Sequence, residues 1–166
     1  AWTVLPGTYD LPFEALRFGN FNGDRFMDIF YRDPAGQWWA ISPGVYPWRL
    51  LGSSSFPLDK LRFGDFNGDG VTDILAVQDG HWAVSWGGTT TWAPLNPALR
   101  DPVAPLLIGD LDADGRDDLV RYTPSAQGLS GTWEVSWGGR AGWTLLDTFT
   151  WQVPAGNLTP RQLLFG

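Results

Sequence analysis

Three short segments of the sequence are crowded with side-chain oxygens at one recurring spacing. Counted from the first such residue, Asp or Asn stands at positions 1, 3, 5 and 9 of each segment. Oxygens on alternate positions of a tight loop suit Ca²⁺, which takes six to eight oxygen ligands, and the backbone carbonyl of position 7 can add one more. The candidate ligands are Asn20, Asn22, Asp24, Phe26 (carbonyl) and Asp28 in the first loop; Asp65, Asn67, Asp69, Val71 (carbonyl) and Asp73 in the second; and Asp110, Asp112, Asp114, Arg116 (carbonyl) and Asp118 in the third.

Other interpretations of these loops fit the sequence less well. An EF-hand requires a bidentate Glu at position 12, where this sequence has Tyr31, Ala76 and Arg121, so position 9 is expected to open a strand instead. Metal-free Asp-Gly turns are the simpler alternative, but carboxylates held this close repel one another. Magnesium is less suitable than calcium, because it prefers an octahedral shell that retains water.

The three loops differ in charge. Carboxylates at the ligand positions number two, three and four from the first loop to the third, and the first loop has Arg25 where a turn favours Gly. We therefore predict up to three Ca²⁺, with affinity falling from the third loop to the second and weakest in the first. Because empty loops repel themselves, calcium binding and folding are expected to be coupled.

The loops belong to a longer internal repeat. Their preceding glycines, Gly19, Gly64 and Gly109, are 45 residues apart. After each loop come an apolar run, an alternating run with Trp, a Gly-rich turn and a strand opening with Trp. Four short strands within about 40–50 residues is the spacing of a β-propeller blade. The sequence thus predicts an all-β fold of four-stranded antiparallel blades.

The repeat divides the chain into three full blades and a partial strand at each end. We expect a terminal strand of a preceding blade in residues 1–12, blades at 13–57, 58–102 and 103–160, and the start of a further blade at 161–166. Propellers close with about four blades or more. The chain is therefore interpreted as part of a larger propeller, with completion by other copies or an open arc as alternatives. Unpaired strand edges at its ends invite self-association.

The motif around the second loop, Phe-Gly-Asp-Phe-Asn-Gly-Asp-Gly followed by Asp-Ile-Leu, resembles the FG-GAP repeat of integrin α-subunit propellers and the bacterial FG-GAP or VCBS repeats. This resemblance covers nearly the whole chain. It implies a calcium-loop propeller, usually extracellular, that serves adhesion, ligand display or a secreted enzyme. Asn20, Arg25 and Ile108 depart from the family pattern.

Tryptophans recur in the repeat. We place Trp39, Trp82 and Trp133 on one strand of successive blades, with Trp2, Trp48, Trp92 and Trp143 on another, and expect them to pack between blades. A different role, stacking on sugars in clefts, would best suit Trp38, Trp86 and Trp137.

Composition narrows the function. With 18 acidic and 11 basic side chains, only one of them Lys, the net charge is −7, which disfavours nucleic acid and anionic membranes. No apolar stretch approaches the ~18 residues of a membrane span, and no leader segment is evident. The chain has no Cys, and its single His81 has no accompanying nucleophile motif, so we predict no enzyme activity.

We therefore predict a calcium-binding, non-catalytic, secreted or cell-surface module that mediates adhesion, ligand binding or self-assembly. Its expected partner is a protein or glycan at the cell exterior, with neither nucleic-acid binding nor membrane insertion. A Trp-rich, lectin-like propeller and an accessory domain of a larger secreted enzyme are the two alternatives.

Overall fold

The computed structural model describes residues 11–42, 47–100, 102–103, 105–126 and 130–150, and these residues form an all-β structure. Its strands are separated by tight turns, as the frequent Gly, Pro and Asp residues predict. Twelve strands lie within this part of the chain: β1 Leu16–Gly19, β2 Asp28–Arg32, β3 Gln37–Ile41, β4 Arg49–Ser53, β5 Arg62–Gly64, β6 Asp73–Gln78, β7 His81–Ser85, β8 Ala93–Asn96, β9 Leu107–Gly109, β10 Asp118–Pro124, β11 Ser130–Ser136 and β12 Thr144–Thr150.

The strands form three separate four-stranded sheets, in the orders β1-β2-β3-β4, β5-β6-β7-β8 and β9-β10-β11-β12. Every neighbouring pair is antiparallel, so each sheet is a simple meander. The prediction of an all-β chain of propeller-like blades is confirmed. The partial strands predicted at 1–12 and 161–166 lie largely outside the described residues.

The helical content of the described residues is confined to four 3₁₀ turns of three residues each. They lie at Phe13–Ala15, Leu58–Lys60, Trp86–Gly88 and Trp137–Gly139. Within the part of the chain that the structure describes, no helix has the length and apolar character of a membrane span.

The hydrophobic core lies between successive sheets. Between the first and second sheets lies a cluster formed by Phe21, Phe30, Trp38 and Leu51 from the first and by Leu61 and Ile74 from the second. A matching cluster between the second and third sheets is formed by Phe66, Leu75, Trp82 and Leu95 from the second and by Leu106 and Leu119 from the third. Edge-to-face aromatic pairs join the sheets: the ring centroids of Trp38 and Trp92 are 5.7 Å apart, and those of Trp82 and Trp143 are 5.6 Å apart. Each sheet therefore buries its face on the next, as stacked repeats do.

The register of the strands corrects two predictions about tryptophan. Trp38 pairs with Gly52, Trp82 with Asn96 and Trp133 with Asp147, and a register shift follows each of them. Trp38, rather than Trp39, is thus the equivalent of Trp82 and Trp133. The prediction that Trp38 stacks on sugars is wrong, because its side chain is only 1% exposed and fills the core.

Candidate metal centre

The three oxygen-rich loops are hairpin connections between the first two strands of each sheet. Position 9 opens the second strand in all three, at Asp28, Asp73 and Asp118, as predicted. Each loop turns sharply because positions 4 and 6 both have left-handed backbone angles. These residues are Gly23 (φ 78°) and Arg25 (70°), Gly68 (80°) and Gly70 (80°), and Ala113 (61°) and Gly115 (87°).

Side-chain oxygens of positions 1 and 5 hold the loop backbone in shape. In the second loop Asp65 Oδ1 accepts the N–H of Gly68 at 2.7 Å, and its Oδ2 accepts the N–H of Gly70 at 2.7 Å. Asp69 Oδ1 accepts the N–H of Val71 at 2.7 Å. The N–H groups of Phe26 and Arg116 donate in the same way to Asp24 and Asp114, both at 2.8 Å, and Asn20 Oδ1 accepts the N–H of Gly23 at 2.9 Å.

The third loop brings three carboxylates to one point. Oxygens of Asp110, Asp112 and Asp118 all lie within 4.8 Å of one another. Oxygens bound to a single Ca²⁺ at 2.3–2.6 Å are at most about 5 Å apart, so the three side chains fit one ion. Among the described residues, no other group of three or more His, Cys, Asp or Glu ligand atoms is this close.

The first and second loops differ from the third in the hydrogen bonding of the Asp at position 5. Asn67 Nδ2 donates to Asp69 Oδ2 at 2.9 Å, and Asn22 Nδ2 donates to Asp24 Oδ2 at 2.8 Å. At this position the third loop has Asp112, whose carboxylate supplies no donor when ionised. The third loop therefore lacks the internal donor that the other two loops have, and the predicted order of calcium affinity stays a prediction.

The position-9 carboxylates have a structural role that the sequence analysis did not predict. Asp73 is buried, and its two oxygens accept the N–H groups of Phe66 at 3.0 Å and Gly87 at 2.7 Å. Asp118 makes the equivalent bonds to Leu111 and Gly138, at 2.9 and 2.8 Å. Each of these two carboxylates joins its loop to the Trp-Gly-Gly 3₁₀ turn that ends the third strand. The recurrence of Trp-Gly-Gly after position 9, 13 residues later in the second repeat and 19 in the third, was the available sequence signal.

Burial and mutual repulsion disfavour charge on some of these groups. Burial raises the pKa of Asp73 to about 7, with smaller contributions from Asp69 and Asp65, although the two N–H groups act in the opposite direction. Burial also raises the pKa of Asp117, as do its neighbours Asp65, Asp110 and Asp118. A divalent cation would stabilise these carboxylates in their charged form.

Successive loops also bond to each other. The N–H of Asn20 donates to Thr72 Oγ1 at 2.9 Å, and the N–H of Thr72 donates back to the carbonyl of Asn20 at 2.7 Å. Asn20 Nδ2 adds a 2.6 Å bond to the carbonyl of Gly70. Position 1 of one loop is thus bound to position 8 of the next, which places the candidate sites in a row.

Comparison with known families supports the repeat. A family model described as FG-GAP-like repeat matches residues 20–76 and, again, residues 65–121. Each match begins at position 1 of one loop and ends in the strand after the following loop. Comparison with curated proteins and with solved structures gives no match.

Proposed function

The chain belongs to the FG-GAP-like repeat family, and on that premise we propose that it is a calcium-binding, non-catalytic module of the cell exterior. The observation that carries the proposal is the convergence of the Asp110, Asp112 and Asp118 carboxylates within 4.8 Å. Three ionised carboxylates at one point repel one another, and a hard divalent cation bound between them would remove that repulsion.

The three loops offer different sets of candidate ligands. In the third loop Asp110, Asp112 and Asp118 would hold the ion, with Asp114 and the Arg116 carbonyl as further candidates. In the second and first loops the Asn at position 3 replaces one carboxylate, which lowers the attraction for calcium. The ion supplies positive charge to the loop. Millimolar extracellular calcium fills sites with dissociation constants of about 10⁻⁴–10⁻³ M, so exposed loops of this kind suit a secreted or cell-surface location.

The stacked sheets would present a recognition surface to a protein or glycan outside the cell, in adhesion or assembly. Protein recognition is favoured over sugar stacking by the placement of the tryptophans. Trp38 is buried in the core, and the guanidinium of Arg140 lies 5.7 Å from the ring centroid of Trp86.

A calcium titration followed by thermal unfolding tests the proposal. We expect Ca²⁺ to raise the melting temperature more than Mg²⁺ does, and calorimetry to give the tightest site in the third loop. Asp112→Asn should reduce that shift, while Asp59→Asn, an exposed acid outside the loops, should leave it unchanged. An unchanged melting temperature at about 1 mM Ca²⁺, the extracellular level, or a full shift in Asp112→Asn, would contradict the proposal.

A further inference from the structure

The outer face of the third sheet is an apolar groove of about 400 Å³ lined by Leu107, Leu111, Val120, Trp133 and Leu146. Strand register makes Leu111, Val120, Trp133 and Leu146 the equivalents of core residues in the other sheets. Leu111 stands where Phe21 and Phe66 are 2% and 0% exposed, yet it is 48% exposed. Leu146 occupies the same irregular position as buried Leu51 and Leu95, yet it is 42% exposed.

In the first two sheets the next sheet covers this face. Phe63 of β5 packs against the first sheet, with ring centroids 4.9 Å from Phe30 and 6.2 Å from Phe21. Its neighbour Leu61 is buried in the same cluster. Ile108 and Leu106 take the same places on the second sheet.

The glycine before each loop gives an independent sign of the same contact. A Cβ on Gly19 would lie 2.7–2.9 Å from side-chain atoms of Thr72, and one on Gly64 would lie 2.8 Å from Asp117 Oδ2. The absence of a side chain at Gly19 and Gly64 therefore leaves room for the next sheet to pack closely. Gly109 is the equivalent glycine of the third sheet, and there no described atom lies within 4 Å of the Cβ position.

We propose that this face carries a fourth blade whose first strand is the chain's own Leu163–Gly166. Leu-Leu-Phe-Gly repeats the pattern of residues 61–64 and 106–109, so Leu163 would take the place of Leu61 and Phe165 that of Phe63. The connector is long enough: seven residues (54–60) and nine (97–105) lead to the equivalent leucines of the second and third blades, and twelve (151–162) lead to Leu163.

A second copy of the chain is the less suitable occupant. It would have to seat its first sheet on the groove, and position 8 of that loop is Met27, which is 60% exposed. A thioether is a weak acceptor and cannot replace the oxygens that Thr72 and Asp117 offer to the preceding loop. The inference does not depend on calcium binding.

Thiol labelling of the 166-residue chain, which contains no native Cys, tests the proposal. Leu146→Cys places a thiol on the groove, and Leu145→Cys, on the neighbouring position of β12, is the matched control because Leu145 is 58% exposed. Circular dichroism verifies that both variants are folded. We expect the thiol at position 146 to react at least tenfold more slowly. Adding Phe165→Ala should raise its rate to that of the control, whereas Gln162→Ala should not.

Two results would overturn the proposal. Equal rates at positions 145 and 146, unaffected by Phe165→Ala, would show that residues 163–166 do not cover the groove. Protection at position 146 that ignores Phe165→Ala and grows with protein concentration would identify a second copy as the occupant.

Discussion

Asp65 and Asp117 are joined by a reciprocal pair of hydrogen bonds that links the second sheet to the third. The N–H of Asp65 donates to Asp117 Oδ2 at 2.7 Å, and the N–H of Asp117 donates to the carbonyl of Asp65 at 2.6 Å. Asn20 and Thr72 form the same pair between the first and second sheets. Position 8 of the loop is not a candidate metal ligand. It is a residue that hydrogen-bonds one sheet to the sheet before it.

Removing the position-8 acceptor should weaken the junction between the first two sheets. Thr72→Val keeps the side-chain shape but leaves the N–H of Asn20 without its acceptor, which should cost about 1–2 kcal/mol in the free energy of unfolding. Urea denaturation measures the change, and Thr91→Val, at an exposed position between β7 and β8, is the control. Equal stability of the two variants would remove this role from Thr72.

A side chain at Gly64 should force the second and third sheets apart. The added Cβ would meet Asp117 Oδ2 and Ile108 Cγ2, both at 2.8 Å, so Gly64→Ala should destabilise the chain by about 1–3 kcal/mol. Gly142→Ala serves as the control, since nothing lies within 4 Å of that Cβ position and its backbone is not left-handed. A thermal melt of Gly64→Ala that matches the control would contradict the close approach.

Measurements in EDTA should distinguish the structural role of Asp73 from the proposed metal-binding role of Asp112. Asp73→Ala leaves the buried N–H of Phe66 and the part-buried N–H of Gly87 without acceptors, so it should lose roughly 2–4 kcal/mol even without metal. Asp112→Asn removes an exposed charge that repels Asp110 and Asp118, so it should raise stability in EDTA slightly while losing the gain from calcium. Chemical denaturation with and without calcium tests both variants. If Asp73→Ala is as stable as the wild type in EDTA, the structural role is wrong.

Trp38 should contribute to stability through packing. Trp38→Ala empties a buried site against Phe30 and Trp92, and such truncations typically cost about 3–5 kcal/mol. Leu50→Ala, at a position that is 49% exposed, should change stability by less than about 0.5 kcal/mol. Denaturant midpoints compare the two, and similar values would contradict the placement of Trp38 in the core.

The sequence predicted the blades because their pattern is local and repeated. Loop, apolar run, Trp-containing run and Gly turn recur at a fixed step, and each becomes one part of a four-stranded meander. Trp38 and Trp39 are neighbours on β3 and therefore point to opposite faces of the sheet, so an error of one residue in aligning the repeats exchanges the core position with the outer one. Two adjacent tryptophans give no local sign of which one faces the core.

The candidate site was predictable in composition but not in its hydrogen bonds. Oxygen spacing alone indicated the loop residues, and the structure converges Asp110, Asp112 and Asp118. The bonds of Asp73 to Gly87 and of Asp65 to Asp117 join residues 14 and 52 positions apart in the sequence. Such pairs arise only when a sheet folds back or a second sheet stacks, so no spacing rule within one loop could reveal them.

The row of bonded loops has a mechanical consequence. At the seam between the first two sheets, the Asn20–Thr72 pair and the bond from Asn20 to the Gly70 carbonyl lie side by side. Tension passing from one sheet to its neighbour is shared among these bonds, so rupture requires several to break together. A tether built from such units would resist pulling at its seams.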